Sequence, residues 1–306
     1  MQELRIIYMG TPEFAVPSLK ILVENGMNVV AVITAPDKPK GRGQKLSTSP
    51  VKDYAVSQHI PVLQPRNLKA PEFVEELKSY KANLQIVVAF RMLPVVVWDM
   101  PEIGTFNLHA SLLPQYRGAA PINWAIINGE KETGVTTFFL KHKIDTGNIL
   151  FQEKEPIEED DTVGTLYERL MERGARLVLK TAKAIAAGEY TEHPQDEDQE
   201  ITYAPKIFKE TCEIDWTKPS AEVYNFIRGL SPYPAAWTHI AGRKFKIYKA
   251  EKTSFASAGD KPGDFDTDNK TYLHIQTGGS PLAITELQME GKRRMDIESF
   301  LRGTKL

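Results

Sequence analysis

One cysteine, Cys212, is all that the 306 residues contain. A single thiol makes neither an internal disulfide nor a paired-cysteine metal site. Cys212 therefore reads as a small, partly buried apolar side chain in a reduced compartment. An excess of charge is also missing: 38 Lys and Arg against 40 Asp and Glu leave a net of −2. That balance gives no global pull toward nucleic acid or membrane and leaves room only for local basic faces. No apolar run approaches bilayer-spanning length. The opening MQELRIIYMG has too short an apolar stretch, behind an acid, for a secretory signal. A cytoplasmic protein with no membrane contact is expected. Two nucleotide signatures are absent as well. After the first apolar run, YMGTPE (8–13) carries one glycine where a dinucleotide-binding turn needs three, and an acid at the helix start. No GxxxxGK[ST] run occurs.

The chain is long for one core, so two domains are expected. Residues 4–9 (LRIIYM), 28–33 (NVVAVI), 84–90 (LQIVVAF) and 104–108 (GTFNL) are apolar runs of strand length. Helical patterns fall between them at 14–24, 50–58, 71–80 and 119–127. Near-continuous apolar strands alternating with helices predict a Rossmann-like parallel sheet covered on both faces. Residues 134–140 and 148–156 read as two further strands. Residues 162–187 read as one long amphipathic helix capped by Asp161 and Thr162. The polar, acidic stretch 189–207 has linker composition. Beyond it, one helix at 220–230 and short strands at 245–250, 272–277 and 282–289 predict a small all-β, OB-like barrel. The expected division is 1–188, a linker 189–207, and 208–306.

The stretch FNLHASLLPQYRGAAP (106–121) ends a predicted parallel strand, where ligand chemistry collects in such sheets. Asn107 and His109 are two apart and share a face. KIDTG (143–147) lies between the two late strands and brings Asp145 within reach if they pair beside the strand ending at 108. An amide can stabilise an oxyanion. A carboxylate beside an imidazole stabilises the imidazolium, which then donates to that oxyanion too. A carboxylate can also take a proton from an attacking amine. Such a set suits acyl transfer to an amine without a protein nucleophile. The same residues have bland roles, a hydrogen-bonded histidine and a turn-forming aspartate, and spacing alone does not choose. Residues 36–50 form a long loop rich in Lys and Arg. It is either a solvated basic tip or an arm that orders on a polyanion.

Taken together and in order, MGTPEFAVPSL, GRGQKL…SPVK, FNLHASLLPQYRGAAP and KIDTGNIL resemble the 10-formyltetrahydrofolate-dependent formyltransferases. The resemblance covers the chain, most strongly over 4–150. It implies that Asn107, His109 and Asp145 are the catalytic trio. It also implies that Ser111, Leu112, Leu113 and Pro114, with Phe90, border the folate. The basic loop resembles the branch whose acceptor is methionyl initiator tRNA. That implies a contact from Arg42, with Lys40 and Lys45 beside it in the loop. Separately, the basic clusters 243–246 and 292–294, with Arg243, Lys292 and Arg293 as candidate tRNA contacts, form either a local RNA-binding surface or ordinary barrel-surface charge. The cosubstrate would be 10-formyltetrahydrofolate, with no metal, and the chain a monomer. Two departures from the family stand out. Arg91 occupies a place where many relatives carry a small residue, and Lys141-His142-Lys143 is unusually basic. His142 reads as an exposed loop residue. A relative acting on an amino sugar nucleotide would share the trio but need no basic loop. A non-catalytic folate- or RNA-binding module would not need the trio.

Overall fold

The computed structural model describes residues 3–40, 45–196 and 198–306. Seven strands make the first sheet: β1 (Ile6–Gly10), β2 (Val29–Ile33), β3 (Val62–Leu63), β4 (Leu84–Val88), β5 (Gly104–His109), β6 (Glu132–Phe139) and β7 (Ile149–Pro156). Their order is β7-β6-β5-β4-β1-β2-β3. Strands β1 to β5 run parallel, and β6 lies antiparallel to β5. The chain builds outward from β1 to β3, then returns to the other side of β1 with β4 and β5. The order therefore reverses between β1 and β4, the crevice where open α/β sheets place ligands. This is the Rossmann-like architecture read from the apolar runs.

Both faces of β1 are covered because alternate side chains need partners. Ile7 and Met9 belong to a cluster with Phe73 and Leu77 of helix α3 (Pro71–Ser79) and Val97 of the short helix α4 (Val95–Trp98). On the other face, the buried Tyr8 hydroxyl donates to the Ala15 carbonyl at 2.5 Å, just ahead of helix α1 (Val16–Glu24). Helix α2 (Pro50–Ser57) starts at Ser49, whose side chain accepts from the Lys52 amide. Within the basic stretch, Lys38–Lys40 pairs antiparallel with Lys45–Ser47. Helix α5 (Pro121–Ile127) follows β5, and the expected long helix is α6 (Val163–Ala187). Its start is capped as expected: the Thr165 amide donates to Thr162 Oγ1, and the Thr165 hydroxyl to Asp161.

The C-terminal sheet is antiparallel: β8 (Ala236–Ile240), β9 (Arg243–Lys252), β10 (Phe265–Thr267), β11 (Leu273–Ile275), β12 (Leu282–Met289) and β13 (Met295–Asp296), in the order β8-β9-β12-β11-β10 with β13 beside β12. It curls as a half-barrel. Helices α7 (Ser220–Leu230) and α8 (Ile297–Gly303) add Val223, Ile227, Phe300 and Leu301 to its core.

The compact units are not consecutive stretches. One holds 1–117, 134–155 and 168–203; the other holds 118–133, 156–167 and 204–306. The boundary read at 188 and these units divide the chain differently, because 118–133 and 156–167 pack with residues far downstream. Nor does 189–207 stand apart as a linker. His193 and Thr202 hydrogen-bond within the first unit, through the Ile149–His193 bridge and the Tyr116 amide donating to the Thr202 carbonyl at 2.6 Å.

Candidate active site

Three of the sequence-selected side chains lie in one place. Asn107 and His109 leave β5 on one face. His109 is 7% exposed, and Asn107 is half-buried between Val87 and Phe138 of the flanking strands. Asp145 comes from the loop joining β6 to β7, in a left-handed backbone turn with φ of 55°. Its Oδ2 is 3.9 Å from His109 Nδ1, too long for a hydrogen bond but within direct electrostatic reach. The other ring nitrogen, Nε2, lies 2.9 Å from the Tyr116 carbonyl. A carbonyl only accepts, so Nε2 carries a hydrogen and Nδ1 is the nitrogen presented to Asp145.

The carboxylate is placed by a partner that sequence reading missed. Gln195 Nε2 donates to the Asp145 and Gly147 carbonyls, both at 2.8 Å. Its Oε1 accepts from Arg117, at 3.1 Å from Nε and 2.6 Å from Nη2. Gln195 lies in the polar stretch that looked like a linker; an isolated amide there has no periodic signal to mark it. Arg117, within the quoted motif, was a visible but unassigned signal.

The segment expected to border folate is a tightly held turn. The Ser111 hydroxyl donates to the Gln115 carbonyl at 2.6 Å. Thr136 Oγ1 donates to the Ser111 carbonyl and accepts from the Leu113 amide. Gln152 donates to the Leu113 carbonyl at 2.9 Å. Ser111, Leu113 and Pro114 are buried. Leu112 lies over Gly134, where a Cβ would sit 2.5 Å from a Leu112 methyl. Phe90 packs with Leu93 and Leu140 against the sheet core. Met92, Val95, Val96 and Ile144 are exposed apolar side chains. His142 is exposed, as read, and meets the edge of Trp98 at 5.5 Å. Among the described residues, no group of three or more His, Cys, Asp and Glu is placed to hold a metal ion.

The expected nucleic-acid contacts divide. Arg42 lies outside the described residues. Lys40 and Lys45 face each other in backbone register. In the C-terminal unit, β9 pairs with β12 so that Phe245 opposes Met289, and the Glu290 amide donates to the Lys244 carbonyl at 3.0 Å. The two basic clusters, 243–246 and 292–294, thus adjoin. Arg243 is held at the C-terminus by donating to the Lys305 carbonyl at 2.7 Å. Lys292 and Arg293 are exposed on the turn after β12. Arg294 instead forks onto Glu286 at 2.5 and 2.6 Å and lies 4.2 Å over the Tyr248 ring. Lys244, within the first of these clusters, has its ammonium 3.5 Å over the Trp237 ring. No helix among the described residues is long and apolar enough to cross a membrane.

Comparison with known proteins covers both halves. A family described as formyl transferase matches residues 4–182, and its C-terminal domain family matches 206–305. The chain is 57% identical over 312 residues to the methionyl-tRNA formyltransferase of Phocaeicola vulgatus, spanning 99% of this chain and 96% of that protein. Among solved structures it is similar to an N-formyltransferase from Helicobacter canadensis, with a TM-score of 0.66 and 23% identity over 96% of this chain and 100% of that one. It is also similar to HypX from Aquifex aeolicus crystallised with tetrahydrofolic acid, with a TM-score of 0.64 and 19% identity. There it covers 98% of this chain but spans about half of the longer protein, 47%.

Proposed function

We propose that this chain, which belongs to the formyl transferase family, moves the formyl group of 10-formyltetrahydrofolate to the α-amino group of methionyl initiator tRNA. The observation that carries the reading is the His109–Asp145 pair, with Asn107 on the same strand face, at the carboxyl end of β5. The near full-length match to a methionyl-tRNA formyltransferase supports the acceptor.

The amine of the methionyl ester attacks the formyl carbon. The carbonyl π electrons move to oxygen, and Asn107 Nδ2–H and His109 Nδ1–H, the ring nitrogen that the Tyr116 carbonyl leaves open, stabilise that oxyanion. Asp145 supplies the counter-charge for His109 and receives the proton that the attacking nitrogen sheds, directly or through one water. Collapse breaks the bond from carbon to N10 of the folate, and N10 leaves with the proton that Asp145 took up. No protein nucleophile is consumed. The exposed side chains Met92, Val95, Val96 and Ile144 supply an apolar border for a pteridine beside Phe90. The basic segments in and around Lys38–Lys40 and on β9 suit a polyanionic acceptor. The reading takes the chain as a cytoplasmic monomer.

The test is transfer of labelled formyl to methionyl initiator tRNA, methionyl elongator tRNA and an amino sugar nucleotide, offered side by side. Transfer to the initiator alone is expected; transfer only to the sugar overturns the acceptor and leaves the trio. Asp145→Asn should lower turnover by about 100-fold or more while folate binding changes little. Turnover near that of the unaltered enzyme would remove Asp145 from the mechanism.

A further inference from the structure

Arg117 lies in the same motif as His109, yet no step of the proposed transfer uses it. It is 6% exposed, a guanidinium taken almost wholly out of water. A buried charge needs definite partners. Two of its donors converge on one atom: Nε and Nη2 lie 3.1 and 2.6 Å from Gln195 Oε1. The nitrogen of the same amide donates to the Asp145 and Gly147 carbonyls, both at 2.8 Å. A guanidinium only donates and a carbonyl only accepts. Arg117 therefore fixes which way the Gln195 amide faces, oxygen toward the guanidinium and nitrogen toward the Asp145 turn.

Arg117 also reaches His109 through the backbone. The Tyr116 carbonyl, 2.9 Å from His109 Nε2, belongs to the peptide plane that ends at the Arg117 nitrogen. The ties close on themselves. They run from His109 to the Tyr116 carbonyl, across one peptide to Arg117, and through Gln195 to the Asp145 turn. From there Asp145 Oδ2 faces His109 Nδ1 across 3.9 Å. The segment that carries Gln195 holds the Tyr116 turn a second time. The Tyr116 amide donates to the Thr202 carbonyl at 2.6 Å, and Gln115 Oε1 accepts from the Thr202 amide at 2.9 Å.

The open join is the one that bears on the chemistry. With Asp145 at hydrogen-bond distance, Nδ1–H would point at the carboxylate and be lost to the oxyanion. With Asp145 swung away, the imidazolium would lose its counter-charge. The 3.9 Å gap meets both needs. We propose that Arg117 is a positioning residue which, acting through Gln195, closes a ring of contacts that fixes the His109–Asp145 gap. The roles of that pair rest on the function proposed above; the ring itself does not.

The test is a cycle of four enzymes: unaltered, Arg117→Met, Gln195→Ala and the double variant. A ring opened at one join is already open, so the second substitution adds little. Each single variant should lower kcat about tenfold or more, with KM for 10-formyltetrahydrofolate and for methionyl-tRNA within about threefold. The double variant should lie within about threefold of the slower single, and losses that multiply would overturn the proposal. Gln195→Glu guards against a folding defect, since it keeps an acceptor for Arg117 and removes the donor to the Asp145 turn. It should still lose about tenfold or more in kcat; turnover near that of the unaltered enzyme would remove Gln195 from the ring.

A second readout needs no acceptor. In the chain labelled with 15N-histidine, the His109 Nε2–H signal is assigned by its loss in His109→Gln. Its exchange with water should be about fivefold or more faster in Arg117→Met. If the unaltered chain formylates no methionyl-tRNA and this exchange still quickens, the ring stands and the acceptor reading falls. If the unaltered chain formylates initiator tRNA and the exchange is unchanged in Arg117→Met, the ring falls alone.

Discussion

His109 is tied at one nitrogen and open at the other. Because Nε2 spends its hydrogen on the Tyr116 carbonyl, the ring cannot rotate without losing that bond, and Nδ1 stays aimed at Asp145. The fit between them then depends on Gln195, which holds the two carbonyls on either side of Thr146. Gln195→Ala should lower kcat about 10- to 100-fold, the usual cost of a misplaced catalytic group, with folate affinity within twofold; steady-state kinetics beside a folate titration separates the two. The trio was legible because an amide and an imidazole at a strand end, and an aspartate in a glycine turn, are chemically conspicuous. Gln195 was not, since its role exists only once its amide meets the Asp145 and Gly147 carbonyls, some fifty residues back in the chain.

A second residue-scale prediction concerns His274. Its side chain is buried, stacked on Tyr272 at 4.7 Å and against Phe255 at 4.4 Å, and its Nδ1 has no hydrogen-bond partner among the described residues. Burial lowers its pKa from 6.5, against a smaller opposing pull from Asp266. The unfolded chain therefore binds this proton more readily than the folded one, so stability falls as pH drops through about 6.5. Thermal unfolding should show a Tm loss between pH 7.5 and 5.5 that His274→Phe reduces; an equal loss in both would assign the acid sensitivity to other groups.

At the scale of elements, β5 is positioned from the side opposite its functional face. Leu108, between Asn107 and His109, packs onto Gly174 of α6, where an added Cβ would sit 2.6 Å from a leucine methyl. Gly174→Ala should destabilise the chain by about 1–3 kcal/mol, as overpacking of a filled core does, and lower kcat by disturbing both neighbours; urea unfolding and turnover on the same sample check it. The same helix is anchored to β7 by Glu155, which is 5% exposed and accepts from Arg169 and Arg173 at 2.7 and 2.6 Å. Glu155→Ala should cost about 1–3 kcal/mol by urea unfolding, because it removes a buried carboxylate that accepts from two partly exposed guanidiniums.

Elements were legible where burial on both sides makes a strand apolar throughout, as in IIYMG of β1 and LQIVV of β4. They were not where the signal is too short or contrary. Strand β3 has two residues, and α4 is VVVW, whose β-branched residues argue against the helical turn that packing imposes. Strand β8 (AWTHI) and helix α8 were missed for their brevity beside Gly, Pro and Asp.

For the whole molecule, the near-neutral net charge conceals a local asymmetry. The β9–β12 pairing brings the turn that carries Lys292 and Arg293 next to Lys244, whose ammonium lies over the Trp237 ring. Each phosphate contact should add roughly 0.7–0.9 to the slope of log affinity against log salt. Lys244→Gln should reduce that slope for methionyl-tRNA by about this amount, and an unchanged slope in filter binding would exclude Lys244 from the RNA surface.

The interleaving of the two compact units also bears on inheritance. Helix α5 is encoded well before the C-terminal sheet, yet it is shaped to α7: Asn123 donates to the Gly229 carbonyl at 2.8 Å, and Ile127 fills the space that a Gly229 side chain would occupy. A recombination event that joined this front half to a foreign tail would inherit one side of that fit without the other. The tail is therefore no interchangeable cassette: a foreign one would have to bring its own fit to Asn123 and Ile127.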